Sequence, residues 1–301
     1  MNEPVYNYKK GLPAMGLCYL LWGFQPLYYQ LDTTVDTNFL LACRVIWAAV
    51  CCLVILACQG KLSQLRAVFK TKKILLREIP AALLLFADWA VYLIGVRAGR
   101  VQECSMGYYI MPLVMFALGA LLFREKFGWT QLEALVFIVA GIALSAGSFG
   151  RFPYVTVTLA LCFAVYSALK KSLDVDSIVS TSAEILLMVP LALLYILFFA
   201  RGEITSGLTL GRQLFLMGSG LVTGLPMVFF SAGVVHLPLT VTAISQYLSP
   251  SLSLVCSLLL GESFSREKLI SFAFIWVGVI IYAGSEVRQA RKAMRTQNRA
   301  E

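Results

Sequence analysis

Two tyrosines, each followed three positions later by a proline inside a long apolar run, are the first residues whose spacing could do chemistry: Tyr109 with Pro112, and Tyr247 with Pro250. A proline within a helix removes a backbone N–H and leaves the carbonyl about one turn earlier in need of a partner. A tyrosine placed one turn before it sets a hydroxyl beside that freed backbone. In an apolar layer such groups must be bonded by protein or by a solute, because water is not there to do it. The pair reads either as two kinked, packed helices or as two helix breaks facing a bound solute. Gln246, beside Tyr247, adds an amide to the second reading. Trp22 offers a flat face for an aromatic solute, as do Trp47 and Trp89, although tryptophan in apolar helices also serves for packing.

Few ionisable residues lie within the apolar runs, where an unpaired charge costs at least about 2.5–3.5 kcal/mol on insertion scales. Asp88 stands near the middle of its run and could take up a proton from one side and release it to the other; the alternative is a pair with a cation such as Arg97. Arg44 and Glu184 sit at mirrored depths of two runs, as gating or coupling residues or as snorkelling, locally paired side chains. Glu103 is a gate or an interfacial partner for Arg100, while Glu125 and Glu262 close their helices within clusters of charge, which points to an interfacial role.

Enzyme chemistry has little to work with. The chain holds one histidine, His236, with no acidic ligand cluster around it, and neither a P-loop nor G-x-S-x-G. No catalytic residue, metal site or cofactor is expected. The eight cysteines fall in or at the ends of apolar runs without a C-x-x-C and read as small core hydrophobes.

The elements that must position these residues are long helices. Of 301 residues 59% are hydrophobic and 14% charged, with a mean hydropathy of +0.79. The apolar residues fall into blocks of about twenty, the length that crosses roughly 30 Å of hydrocarbon as a helix. Ten blocks can be read: 11–31, 38–58, 79–98, 102–123, 129–147, 153–170, 179–199, 213–234, 238–260 and 268–285. Only the connection 59–78 is long enough for a surface helix, and its Lys61, Arg66, Lys70, Lys72, Lys73 and Arg77 suit an anionic lipid surface.

The Tyr-x-x-Pro motifs belong to a longer repeat. Tyr92, Gly95 and Tyr109 fall against Phe230, Gly233 and Tyr247 at an offset of 138, and Glu125 and Gly141 find counterparts in Glu262 and Gly278. With the N-terminus in the cytoplasm, seventeen lysines and arginines, Lys170 and Lys171 among them, fall on the inner side and seven on the outer, so both termini are expected inside. That bias also accounts for the net charge of +9 without a nucleic-acid partner. A five-helix unit is odd, so its second copy must enter from the opposite side. The expectation is an all-α polytopic membrane protein with ten transmembrane helices as two inverted five-helix repeats, 1–148 and 149–287, and a basic cytoplasmic tail, 288–301.

Ten such spans resemble the drug/metabolite transporter superfamily, EamA type. The similarity rests on Tyr19-Leu20-Leu21-Trp22-Gly23 with Pro26, Arg44-Val45-Ile46-Trp47, Glu103-Cys104-Ser105-Met106-Gly107-Tyr108, Leu237-Pro238-Leu239, Gln246-Tyr247 with Pro250, Gly261-Glu262 and the run from Ile270 to Trp276. It implies a secondary carrier of the bacterial inner membrane, moving a small metabolite or drug by alternating access. Cys43, Asp88, Arg97 and Met111 depart from the family pattern along the presumed pathway, so the substrate need not be that of other members. The partners then expected are the lipid bilayer, a small molecule and, through Asp88, protons, in a monomer or homodimer. A scaffold subunit, an intramembrane enzyme and a channel remain as competing readings. Substrate contact is expected at Tyr109, Tyr247, Gln246, Trp22 and Asp88.

Overall fold

In this computed structural model the described residues are 6–29, 31–32, 34–97, 101–125, 128–146, 154–205, 209–259, 266, 270, 273–282, 284–285 and 288. They form helices and turns, with no strand among them. In chain order the helices are α1 (Tyr8–Tyr29), α2 (Thr37–Cys58), α3 (Leu62–Lys70), α4 (Lys72–Arg97), α5 (Val101–Phe123), α6 (Trp129–Ala146), α7 (Tyr154–Ser172), α8 (Ser177–Phe199), α9 (Arg201–Thr205), α10 (Leu210–His236), α11 (Leu239–Ser245), α12 (Leu248–Leu259) and α13 (Ala273–Tyr282).

Among the described residues four helices, α2, α7, α8 and α10, are long and apolar enough to cross a membrane, with mean hydropathies of 2.6, 1.3, 2.2 and 1.7. Shorter apolar stretches lie in α5, α6 and α13. Large hydrophobic side chains point outward along the bundle, Phe199, Leu121 and Phe198 among the most exposed. Water would not tolerate so much apolar surface; lipid does.

Matching aspartates start two of the long helices. Asp36 Oδ1 accepts from the N–H groups of Asn38 and Phe39 and begins α2, while Asp176 Oδ1 accepts from Ile178 and Val179 and begins α8. Each satisfies donors that a helix N-terminus leaves open. The connection after α2 does form a helix: α3 buries Leu65 and Val68 against Ile178 and Val179 and leaves Arg66 and Lys70 exposed.

The ninth apolar block is not one helix. It breaks at Gln246 and Tyr247 into α11 and α12, whereas the fourth block runs unbroken through Pro112 as α5. Pro250 has no N–H to continue the ladder, and the chain tightens instead: Tyr247 N–H donates to Ile244 and Ser249 N–H to Gln246.

The packing has a mirrored pattern. α1 lies on α10 and α12, and α7 lies on α4 and α5; α2 packs on α10, and α8 on α4. α2 with α8, and α5 with α11, complete the set. Exchanging α1 for α7, α2 for α8, α4 for α10 and α5 for the α11–α12 pair carries each of these packings onto another or onto itself. On α10, Gly220 and Gly224 let the backbone of α2 approach at Trp47 and Ala48.

Candidate functional site

The two Tyr-x-x-Pro segments meet. Tyr247, 1% exposed, donates its hydroxyl hydrogen bond to the backbone carbonyl of Tyr109 at 2.9 Å. That carbonyl lies three residues before Pro112 in α5. Alongside, Gln246 Nε2 donates to Met111 Sδ at 2.8 Å, and Ser251 Oγ donates to the Tyr247 carbonyl at 2.6 Å. Gln246 Oε1 is buried and unpartnered, an acceptor with nothing to accept. Tyr19 on α1 ties into the same level by donating to the Thr242 carbonyl at 3.2 Å.

Trp22 packs one layer away among Tyr19, Phe230 and Phe163, with ring centroids 5.8, 5.7 and 5.9 Å apart, and Tyr166 continues the cluster by stacking on Phe230. Pro112 is buried within α5 and Pro250 half-buried in α12. Tyr109, Tyr247, Gln246 and Trp22 thus fall in neighbouring positions on α5, α11–α12 and α1.

Asp88 belongs to a separate cluster of α2 and α4. It is 2% exposed, its Oδ1 has no hydrogen-bond partner, and among the described residues it makes no ion pair. Among the described residues Arg44 is the cation whose charge acts on it. The Arg44 guanidinium lies over the Trp89 ring, 4.5 Å from its centroid, and Nη1 donates to the Tyr29 hydroxyl at 3.4 Å. The side chains of Arg97 and Glu103 and the whole of Arg100 and Glu262 lie outside the described residues.

Glu184 lies at the end of the bundle where α4 and α8 begin, buried with Lys170, Tyr166, Ser180 and Glu78. Lys170 Nζ donates to Glu184 Oε1 at 2.8 Å. The sequence counted Lys170 as a surface cation; the structure leaves it 1% exposed. One signal was available: Lys170 and Glu184 lie equally far from Ser177, on either side of a short connection, within reach of each other through the long lysine side chain. Glu78 had no such signal, since its partner Ser180 is 102 residues away.

Glu125 also does more than close α5. Its two oxygens accept from the N–H groups of Leu239 and Thr240 at 2.6 and 2.9 Å, capping α11. Lys171 Nζ sits 3.3 Å from Glu125 Oε1 and donates to the Leu237 carbonyl. Burial, then the Glu125 charge, push the nearby Tyr6 hydroxyl up to about 12. On the loop between α1 and α2, hydrogen bonds from Thr34, then the charge of Arg212, hold the Asp32 carboxyl below the usual carboxylate range.

Two grooves between helices lie away from Tyr109 and Tyr247. One of about 380 Å³ is lined by Leu76, Arg77, Pro80, Leu169, Ser172 and Leu173, and a second of about 280 Å³ runs between α5 and α7. Among the described residues no three His, Cys, Asp or Glu side chains are placed to hold a metal ion.

Comparison with known proteins gives one consistent result. The EamA-like transporter family matches the chain twice, over residues 9–147 and 154–284. The uncharacterized transporter YojE of Bacillus subtilis is 34% identical over 288 residues, covering 94% of this chain and 96% of its own. Protein RarD of Salmonella typhi is 30% identical over 288 residues, covering 94% and 98%. A crystal structure superposes with a TM-score of 0.71 at 18% identity, covering 91% of this chain and 97% of that one, and so shares the fold.

Proposed function

The chain belongs to the EamA-like transporter family, as a RarD-like member, and from that premise we propose a secondary-active carrier that moves a small amphipathic metabolite or drug by alternating access. Membrane transport is the shared ground with its relatives; the substrate class, the mechanism and the residues are our reading. One observation carries it: the equivalent positions of the two repeated segments, Tyr109 and Tyr247, touch each other at a helix break. A discontinuous helix at the repeat interface is where carriers built from inverted repeats bind their solutes, and here the α11–α12 break faces the unbroken α5. The double family match and the mirrored helix packing support two inverted five-helix repeats.

In this reading the Tyr247–Tyr109 bond belongs to a closed arrangement, and a solute replaces it. Buried polar atoms without partners are costly and call for an explanation. Gln246 Oε1 and Asp88 Oδ1 are two of them, an acceptor for the solute and a site for a coupling proton. Trp22 supplies the flat wall, while Arg44 and Glu184 lie towards opposite ends. Burying Lys170 removes one charge from the inner side and leaves the lysine and arginine bias intact, which supports both termini facing the cytoplasm, and the bacterial relatives support the inner membrane.

Purified protein in proteoliposomes, challenged with a panel of metabolites and drugs with and without a proton gradient, tests this. Uptake of at least one compound is expected. Asp88→Asn abolishes gradient-driven uptake while leaving counterflow exchange; uptake unchanged by that substitution rejects the proton role. A panel with no transported compound, together with midplane packing that no solute loosens, favours the scaffold reading.

A further inference from the structure

Glu78, Lys170 and Glu184 place two carboxyls and one ammonium in a pocket that none of them leaves, with exposures of 0%, 1% and 0%. The hydrogen bonds divide the two acids into different roles. Glu184 is fully served: Lys170 Nζ donates to Oε1 at 2.8 Å and the Tyr166 hydroxyl to Oε2 at 3.0 Å. Lys170 also donates to Ser180 Oγ at 2.8 Å, and Ser180 passes its own hydrogen to Glu78 Oε2 at 3.0 Å. Glu78 receives no other hydrogen; the remaining polar neighbour of its carboxyl is Glu184, close enough for the two acids to share a hydrogen bond. Glu78 Oε1 is buried without a partner, and among the described residues no cation lies within ion-pair distance of it.

Among the described residues the surrounding elements offer no second free positive charge, since Lys61, at the start of α3, is paired with Asp176 at 2.7 Å. α2 contributes the Cys52 thiol and α1 the Cys18 thiol near Tyr166; α3 and α10 contribute Leu65, Val68 and Phe230. Arg77 is exposed in the groove beside Leu169, and Lys171 is held by Glu125. One lysine balances one carboxylate, and a second buried negative charge without a cation is strongly disfavoured.

We propose that Glu78 is a proton-binding site, neutral while α4 is packed against α7 and α8, and that its proton leaves when this end of the bundle opens. On opening, water reaches the Glu78 carboxyl, its O–H bond breaks, the proton passes to water and the carboxylate is hydrated; closing reverses each step. Glu184 stays ionised throughout, paired with Lys170. The assignment of the proton stands on the geometry, whereas its use as a latch rests on the transporter reading.

The test measures the carbonyl stretch of a protonated carboxyl by infrared spectroscopy on purified protein at neutral pH, in an Asp88→Asn background that removes the other buried acid of α4. The signal is expected with Glu78 present and lost in Glu78→Gln, which keeps the side-chain volume. Glu184→Gln, which frees Lys170 to pair with Glu78, also removes it. Absence of the signal with Glu78 present, or its persistence in Glu78→Gln, overturns the site. Thermal unfolding then tests the latch: the midpoint falls as pH rises when Glu78 is present and stays flat in Glu78→Gln, and parallel curves overturn it. Neither measurement needs transport, so liposomes that move no compound would count against the carrier while the carboxyl signal still decides the proton.

Discussion

Two glycines one turn apart on α10 make opposite predictions for the same substitution. A Cβ at Gly220 would stand 2.3 Å from the backbone carbon of Trp47, 2.4 Å from its Cβ and 2.7 Å from the nitrogen of Ala48. Carbon atoms pack at about 3.5 Å or beyond, so α10 and α2 must part by roughly 1.2 Å to admit one methyl group. Two of those three atoms are backbone, and no rotamer change can move them aside. The expected cost is about 1–3 kcal/mol of overpacking. At Gly224 the nearest atom to a new Cβ is the Ala48 carbonyl oxygen at 3.5 Å, an ordinary contact. Gly224→Ala there gains about 0.5–1 kcal/mol from the lower backbone entropy of alanine in a helix. The two variants should therefore differ by roughly 1.5–4 kcal/mol, with Gly220→Ala the less stable. Thermal unfolding of the two purified variants, side by side in one detergent, reads the difference. Gly220→Ala as stable as Gly224→Ala would refute the close approach of α10 to α2.

Two further outcomes follow from the polar contacts. Lys170→Met leaves Glu184 buried without its cation and should cost about 3–5 kcal/mol, most of it recovered in Lys170→Met with Glu184→Gln; detergent unfolding of the two singles and the double checks this, and additive losses would dismiss the pair. Tyr247→Phe removes one interhelical hydrogen bond worth roughly 0.6–1.7 kcal/mol and should change transport rate more than folding, which initial-rate uptake set against the unfolding midpoint would show.

Much of the architecture was readable from composition and spacing, because each helix announces itself locally. The apolar blocks, the surface helix α3 and the paired Tyr-x-x-Pro segments all depend on residues within a few turns of one another. What stayed hidden depends on partners far along the chain. Tyr247 was expected to offer its hydroxyl to a substrate, yet it is taken by a carbonyl 138 residues earlier. Lys170 stands beside Lys171 at the end of an apolar run and looks like any interfacial lysine until α4 supplies Glu78 and α8 supplies Glu184 and Ser180. Pro250 and Pro112 read alike, but only the first breaks its helix, and the difference lies in the backbone turns that Tyr247 and Ser249 adopt rather than in the shared motif. Asp88 feels the charge of Arg44 from another helix, α2, a neighbour that spacing along α4 does not reveal.

Among the described residues the most extensive helix packings, α5 on α7, α1 on α10, α10 on α2 and α2 on α8, all join the first half of the chain to the second. Synthesis imposes an order on such contacts. Trp47 is made 173 residues before Gly220, a delay of roughly 9–35 s at about 5–20 residues per second. Within that interval α5 waits for α7 and α2 for α8, and α1 and α2 wait to its end for α10, each standing in lipid with that face unmet until its partner is made. The nascent first half is therefore a client in waiting, dependent on whatever shields those faces in the membrane, and quality control has only the complete chain to recognise as finished.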